Sequence, residues 1–358
     1  MALKYVTAVK IPAINAQSVQ IFSMSEQFSL IDGDFLLLSP GEVLESDPGW
    51  WSKISLFFNS GRLKYLEFAF RTFFSNEITK DDVIYTRDVL IAALFALKGL
   101  SVVYEVHQRP SKKSNFLIRN VLKGSGKGKY VTISSALKSY MLGEFGLLDD
   151  DVTVLHSAVN YFQYEQNKPN RNVFNEFGVP ADKQVVLHTG SLYAGRGAEL
   201  FEDILNSDLN VALVHIGGSE NDLTYWREKY KNHAFYAIPH VERELLVTYQ
   251  LSADCLLFPM TEQTKTYWCC SPMKLFEYFA AGRPVVASTI GSLSEIVSND
   301  NAFLFSHSHK GSIVSAVRDA LESKDAQRRG REGRRQVMSK YNWPNRAKEA
   351  YAFSMLVR

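Results

Sequence analysis

Cysteine is nearly absent from this chain. The three that occur, Cys255, Cys269 and Cys270, are odd in number, two are adjacent, and none has the Cys-x-x-Cys spacing. That excludes a disulfide scaffold and a structural zinc site, and it fits a reducing compartment. A surplus of one charge is missing too: 40 Lys and Arg stand against 38 Asp and Glu, a net charge of +2. So balanced a chain lacks the basic excess of a nucleic-acid-binding protein. No apolar run is long enough to cross a bilayer, and the opening Met-Ala-Leu-Lys-Tyr-Val-Thr-Ala-Val is too short in apolar residues for a signal peptide. Internal repeats and low-complexity tracts are also lacking. A cytoplasmic protein is expected.

What is there suits a soluble globular protein. The 358 residues, 46% hydrophobic and 22% charged, are enough for two domains. Residues 1–165 alternate strand-like and helix-like segments, with strands expected at 4–9, 34–38, 83–85, 101–105, 130–133 and 152–155. A long excursion without assigned elements runs to about residue 76. Residues 166–183 hold Pro169, Asn170, Gly178 and Pro180, the composition of a linker. A second alternating series fills 184–342, with strands expected at 184–188, 211–216, 234–238, 254–258 and 284–288. Residues 343–358 read as a final helix. Strands alternating with helices predict α/β architecture, two Rossmann-like doubly wound parallel sheets. Such sheets bind ligands beyond the strand carboxyl ends.

The most informative stretch is 271–297, Ser-Pro-Met-Lys-Leu-Phe-Glu-Tyr-Phe-Ala-Ala-Gly-Arg-Pro-Val-Val-Ala-Ser-Thr-Ile-Gly-Ser-Leu-Ser-Glu-Ile-Val. Pro272 opens a helix, Leu275, Phe276, Phe279 and Ala280 give it an apolar stripe, and Gly282 ends it. Pro284–Ser288 reads as a buried strand. The helix start attracts an anion, and Glu277 beside it accepts hydrogen bonds. A nucleotide diphosphate supplies both an anion and hydroxyls.

These residues resemble the retaining glycosyltransferases of family 4, which have the GT-B fold; the resemblance implies two Rossmann-like domains facing a cleft, with the C-terminal helix of residues 343–358 packing back on the first, acceptor-side domain. That family carries Glu-x7-Glu, then Ala-x-Ala-x-Gly-x-Pro-Val-Val-Ala-Ser and a Glu-Ile pair. Glu277, Ala280-Ala281-Gly282, Pro284–Ser288 and Glu295-Ile296 match, whereas Cys269 stands at the first Glu. The stretch resembles a variant reading Ser-Pro-x-Lys-Leu-Phe-Glu-Tyr. The resemblance implies a ribose contact for Glu277 and places Ser271, Met273, Lys274 and Leu275 at the donor. Gly190-Ser191-Leu192-Tyr193-Ala194-Gly195-Arg196-Gly197 is similar to the family's diphosphate clamp, with Arg196 where that motif has Lys and Ser191 where it has Arg. Lys274 is the candidate for the missing cation. Pro239, His240 and Val241 end a strand where relatives line the nucleotide base, and Gly217-Gly218 ends the strand before it.

In the first half, His107 follows a strand end where relatives place a histidine beside the reacting sugar. Glu105 orients it if strand alternation allows. Lys10–Ser18 resembles a Pro-x-x-Asn-Ala-x-Ser subgroup of the first strand–helix loop. There Asn15, Ala16, Gln17 and Ser18 cap the helix or face the acceptor and diphosphate. Arg87 meets an acidic acceptor group or pairs near Asp88. Residues 49–74 interleave aromatics with Lys53, Arg62, Lys64 and Arg71, the pattern of a core helix or of a peripheral membrane contact.

The expected function is therefore transfer, with retention, from a nucleotide diphosphate sugar to a glycan or lipid-linked glycan. His107, Arg196 and Lys274 are expected at the chemistry, without a cofactor or metal. A non-hydrolysing nucleotide-sugar epimerase and a non-catalytic nucleotide- or partner-binding subunit are the alternatives. The departures at Cys269 and Ser191 favour the latter.

Overall fold

The computed structural model describes residues 1–11, 15–192, 196–309 and 311–356. The chain divides into two compact units. One is Met1–His156 with the stretch from Trp343 onward, and the other is Ser157–Asn342.

The first unit runs β1 (Leu3–Val6), α1 (Ala16–Ile31), β2 (Leu36–Pro40), β3 (Trp51–Ile54), α2 (Gly61–Phe73), β4 (Val83–Thr86), α3 (Val89–Leu97), β5 (Ser101–Val106), α4 (Lys112–Leu117), β6 (Gly128–Thr132), α5 (Ser135–Phe145) and β7 (Val152–Val154). Among the described residues its seven strands are parallel, in the order β3-β2-β1-β4-β5-β6-β7. β4 and β5 are buried almost throughout, so they read as apolar runs rather than alternating ones. Strand order reverses between β1 and β4, which marks the ligand end of the sheet. There Asp88 ties the two strand ends together, accepting the Ala8 N–H at 3.1 Å and the Thr7 hydroxyl at 3.3 Å.

The excursion expected after β2 contains two elements, β3 and α2. Residues 49–74 also separate into buried and open parts. Trp51 is buried, and Lys53 lies over its ring, paired with Asp47 at 2.7 Å. Both are thus withdrawn from any membrane contact. Phe57, Phe58, Leu63, Leu66, Phe70 and Phe74 are exposed. Helix α2 turns Phe68, Ala69 and Thr72 to the core, so it is apolar on a second, uncovered side.

The second unit runs α6 (Phe162–Gln166), β8 (Gln184–Thr189), α7 (Phe201–Leu205), β9 (Val211–Ile216), α8 (Glu220–Lys229), β10 (Phe235–Ile238), α9 (Arg243–Ser252), β11 (Cys255–Phe258), α10 (Met273–Ala281), β12 (Val285–Ser288), β13 (Phe303–Phe305), α11 (Ser312–Glu322) and α12 (Ala326–Ser339). Among the described residues six parallel strands stand in the order β10-β9-β8-β11-β12-β13, reversing between β8 and β11. Residues 166–183 lie inside this unit: Phe174 and Val179 join its core, and Arg171 bonds Asp254 at 2.8 Å. The last helix, α13 (Trp343–Ser354), belongs to the first unit and packs on α1.

Candidate functional site

In the second unit, loops from three strands meet the start of α10. Gly190 leaves β8 at φ +107°, its N–H bonded to the Ile216 carbonyl at 2.8 Å. Gly217, at the end of β9, has φ +110°, and a Cβ there would stand 2.8 Å from the Gly190 oxygen. Gly197 lies so close to the Pro259 carbonyl, beyond β11, that no side chain fits. The Tyr278 hydroxyl of α10 meets the Thr189 N–H at 2.8 Å and the Thr189 hydroxyl at 3.1 Å, joining helix to strand end. Tyr193, Ala194 and Gly195 lie outside the described residues, while Ser191 is exposed and Arg196 half-buried.

Lys274, in the first turn of α10, brings its ammonium against Gly190: a Cβ on that glycine would be 2.8 Å from Nζ. Burial and then repulsion from Arg196 lower the Lys274 pKa to about 7, with Glu277 offsetting part of this. Two cations thus share a partly dry corner at a helix start. An anion there meets both cations at the positive end of the helix. Glu277 is held by Arg243, whose Nη1 donates to its Oε1 at 3.1 Å while Nε donates to Gln163 at 2.8 Å. Among the described residues Glu277 Oε2 makes no hydrogen bond, so it remains open to a hydroxyl pair.

The other expected donor residues divide. Met273 sits in the same first turn, partly exposed. The Ser271 hydroxyl accepts the Ser157 N–H at 2.8 Å, anchoring the approach to α10. Leu275 is in the core, its N–H bonded to the Pro272 carbonyl at 3.0 Å. Pro239 and His240 are exposed beyond β10, and Val241 packs on the core edge. Cys269 is fully buried.

The first unit builds a network around Glu105, whose side chain is wholly buried. Its Oε1 accepts from Gln20 Nε2 at 2.7 Å, His107 Nε2 at 2.7 Å and Arg346 Nη2 at 2.6 Å, and Oε2 accepts from the Tyr85 hydroxyl at 2.6 Å. Burial raises the Glu105 pKa, but Arg346 and then His107 outweigh it and hold the carboxyl well below its usual range. Burial, then repulsion from Arg87, lowers His107 to about 4 against the pull of Glu105. At neutral pH the ring is therefore uncharged. A carboxylate only accepts, so Nε2 carries the proton and Nδ1 presents a lone pair. Strand alternation puts Glu105 and His107 on one face.

Arg87 donates to Gln20 Oε1 at 3.3 Å rather than to Asp88. Asn15 caps α1, accepting the Ser18 N–H at 2.9 Å, with Ala16 and Gln17 exposed and Ser18 buried. Pro12, Ala13 and Ile14 of that loop lie outside the described residues. Among the described residues no three His, Cys, Asp or Glu side chains cluster as metal ligands, and no helix is long and apolar enough to cross a membrane.

Residues 183–323 match the family model described as glycosyl transferases group 1. The second unit carries a glycosyl transferases group 1 domain. An uncharacterized glycosyltransferase of Methanocaldococcus jannaschii is 25% identical over 232 residues, 61% of this chain and 57% of that protein. The lipopolysaccharide 1,2-N-acetylglucosaminetransferase of Salmonella typhimurium is 24% identical over 196 residues, 51% of this chain and 50% of that protein. The chain thus spans about half the length of these relatives. The structure of HepE from Anabaena in complex with UDP-glucose matches with a TM-score of 0.72 at 14% identity, covering 99% of this chain and 100% of that one. The fold is GT-B.

Sequence reading passed over two parts of the site. Within the group 1 domain, His188 and His215 pair across β8 and β9, their Nδ1 atoms 2.8 Å apart, directly below the glycine turns. His215 Nε2 donates to the Gly217 carbonyl at 2.9 Å. Burial and then Lys274 lower both pKa values, His215 to about 3. Both rings are neutral, so His188 donates its Nδ1–H and His215 accepts. The signal was two histidines at matching ends of adjacent parallel strands. Arg346 is expected on the helix that returns to the first domain, but its pairing with Glu105 carries no local signal.

Proposed function

We propose that the chain is a retaining glycosyltransferase that moves a sugar from a nucleotide diphosphate sugar to a glycan or lipid-linked glycan, of the family 4 kind. One observation carries this reading: Arg196, Lys274 and a helix start converge on a glycine-lined turn, with the open oxygen of Glu277 beside them. The cations and helix start hold the diphosphate, and Glu277 accepts from the ribose hydroxyls. His107 accepts a sugar hydroxyl at Nδ1. The bond from the anomeric carbon to the diphosphate breaks, and the acceptor oxygen bonds that carbon on the same face. The acceptor proton passes to the leaving phosphate, whose charge the cations stabilise without a metal. The matched HepE structure is a complex with UDP-glucose and the Salmonella relative is a lipopolysaccharide 1,2-N-acetylglucosaminetransferase, which supports a sugar nucleotide and a cell-surface glycan. The protein works in the cytoplasm, with the exposed side of α2 resting on the membrane.

The test is incubation with a panel of nucleotide diphosphate sugars, with and without glycan acceptors. Acceptor-dependent nucleotide release, with the donor's anomeric configuration kept in the product, is expected. An epimer formed without acceptor, or nucleotide binding without turnover on any acceptor, overturns the reading.

A further inference from the structure

Two cavities of the first unit share a wall. One, about 520 Å³, opens at the carboxyl ends of β1, β2 and β3, where Lys10, Lys53, Lys64 and one carboxylate, Glu42, line it together with Ser55 and Asn59. The other, about 590 Å³, is apolar, formed by Leu63, Leu66, Phe70 and Phe73 of α2 against Leu90 and Leu94 of α3. Phe58 lines both.

That shared wall is built rather than loose. Glu67 of α2 accepts the Phe57 N–H at 2.9 Å and the Phe58 N–H at 3.0 Å, and Arg71 Nε holds the same carboxylate at 2.8 Å. Lys53 is neutralised by Asp47. Lys10 and Lys64 have no ion pair among the described residues and outnumber Glu42, so the cavity between them suits an anion. The groove next to it suits a hydrocarbon: Leu63 is 57% exposed, Leu66 54% and Phe70 65%, on a helix whose other face is already in the core. An apolar surface of this kind, rimmed by charge, marks a binding face. A free anion leaves the groove bare, and a plain hydrocarbon leaves the lysines unanswered.

We propose that the two cavities form one site for an amphiphilic acceptor, a lipid-linked saccharide. Its phosphate or diphosphate lies between Lys10 and Lys64, and its hydrocarbon chain runs past Phe58 into the α2–α3 groove. The inference takes the word acceptor from the transferase reading above, and a binding experiment without donor separates the two.

Farnesyl diphosphate, kept below its micelle concentration, is titrated into the full-length protein, with inorganic pyrophosphate and farnesol as arms that each carry one feature. The expected result is at least tenfold tighter binding of farnesyl diphosphate than of either. A Lys10→Ser, Lys64→Ser double variant loses tenfold or more for farnesyl diphosphate and keeps farnesol. Phe58→Ser loses the same ligand and keeps pyrophosphate. Unchanged far-ultraviolet circular dichroism and an unchanged melting temperature show both variants folded. Farnesyl diphosphate binding no tighter than pyrophosphate, or equal in all three proteins, overturns the proposal. So does binding to anionic vesicles without affinity for monomeric farnesyl diphosphate, which makes the face a bilayer surface.

Discussion

Lys274 reports most directly on the site's chemistry. Lys274→Met is expected to weaken nucleotide diphosphate binding about tenfold to a hundredfold, the worth of a charge-assisted hydrogen bond of about 1.5–3 kcal/mol. Nucleoside binding should hold, and isothermal titration distinguishes them. The folded pKa of about 7 lies below the ordinary 10.5. Between those values the unfolded chain holds a proton that the folded chain has lost, so stability rises with pH across that window. A bound diphosphate returns the proton. Binding at pH 8 should therefore take up protons and weaken as pH rises from 7 to 9. Heats that do not depend on the buffer's own ionisation would remove the anion from Lys274. In the first unit, His107 at about 4 lies below the ordinary 6.5, so its contribution to stability falls as pH drops from 6.5 to 4. His107→Ala should lower turnover far more than donor affinity. Glu105→Gln leaves buried Arg346 without its counter-charge, at a cost of about 3–5 kcal/mol in urea denaturation.

At the scale of elements, two glycines in one loop make opposite demands. A Cβ at Gly197 meets the Pro259 backbone, which cannot move without β11, whereas at Gly190 it meets the mobile end of Lys274. Gly197→Ala should unfold the second unit or lower its melting temperature by several degrees. Gly190→Ala, strained only by its φ of +107°, should fold and bind nucleotide diphosphate more weakly, because the ammonium is displaced. Equal melting losses would contradict this account. Helix α10 carries three functions on one short element. Tyr278 ties it to β8, Lys274 serves the anion, and Glu277 faces Arg243. Glu277→Gln should reduce nucleotide affinity about tenfold by making its hydrogen bonds to hydroxyls neutral, while leaving pyrophosphate binding unchanged.

For the whole molecule, the exposed side of α2 predicts sedimentation with anionic vesicles. Arg62 and Lys64 add about 1 kcal/mol each near the surface, and rising salt should weaken the contact. Leu66→Ser with Phe70→Ser should abolish it without altering nucleotide binding. Recovery of the wild type in the supernatant at low salt would remove the membrane from the account.

The sequence by itself determined the two parallel sheets, because strands buried on both faces must be apolar runs and the helices between them show their stripes. It also determined the start of α10 and the glycine turns, since those depend on local backbone geometry at Pro272, Gly190 and Gly197. Tertiary structure alone decided the rest. β3 and β13 are short edge strands, held by a neighbour's hydrogen bonds rather than by their own propensity. Lys53 reads as a surface cation, yet the fold folds it over Trp51 against Asp47. Glu105 and Arg346 meet across 241 residues, and His188 meets His215 only because β8 lies beside β9 in register. Such pairs leave no periodicity along the chain: their partners are set by sheet order and helix packing, which place distant residues together in a dry interior where a charge or ring nitrogen must find a match.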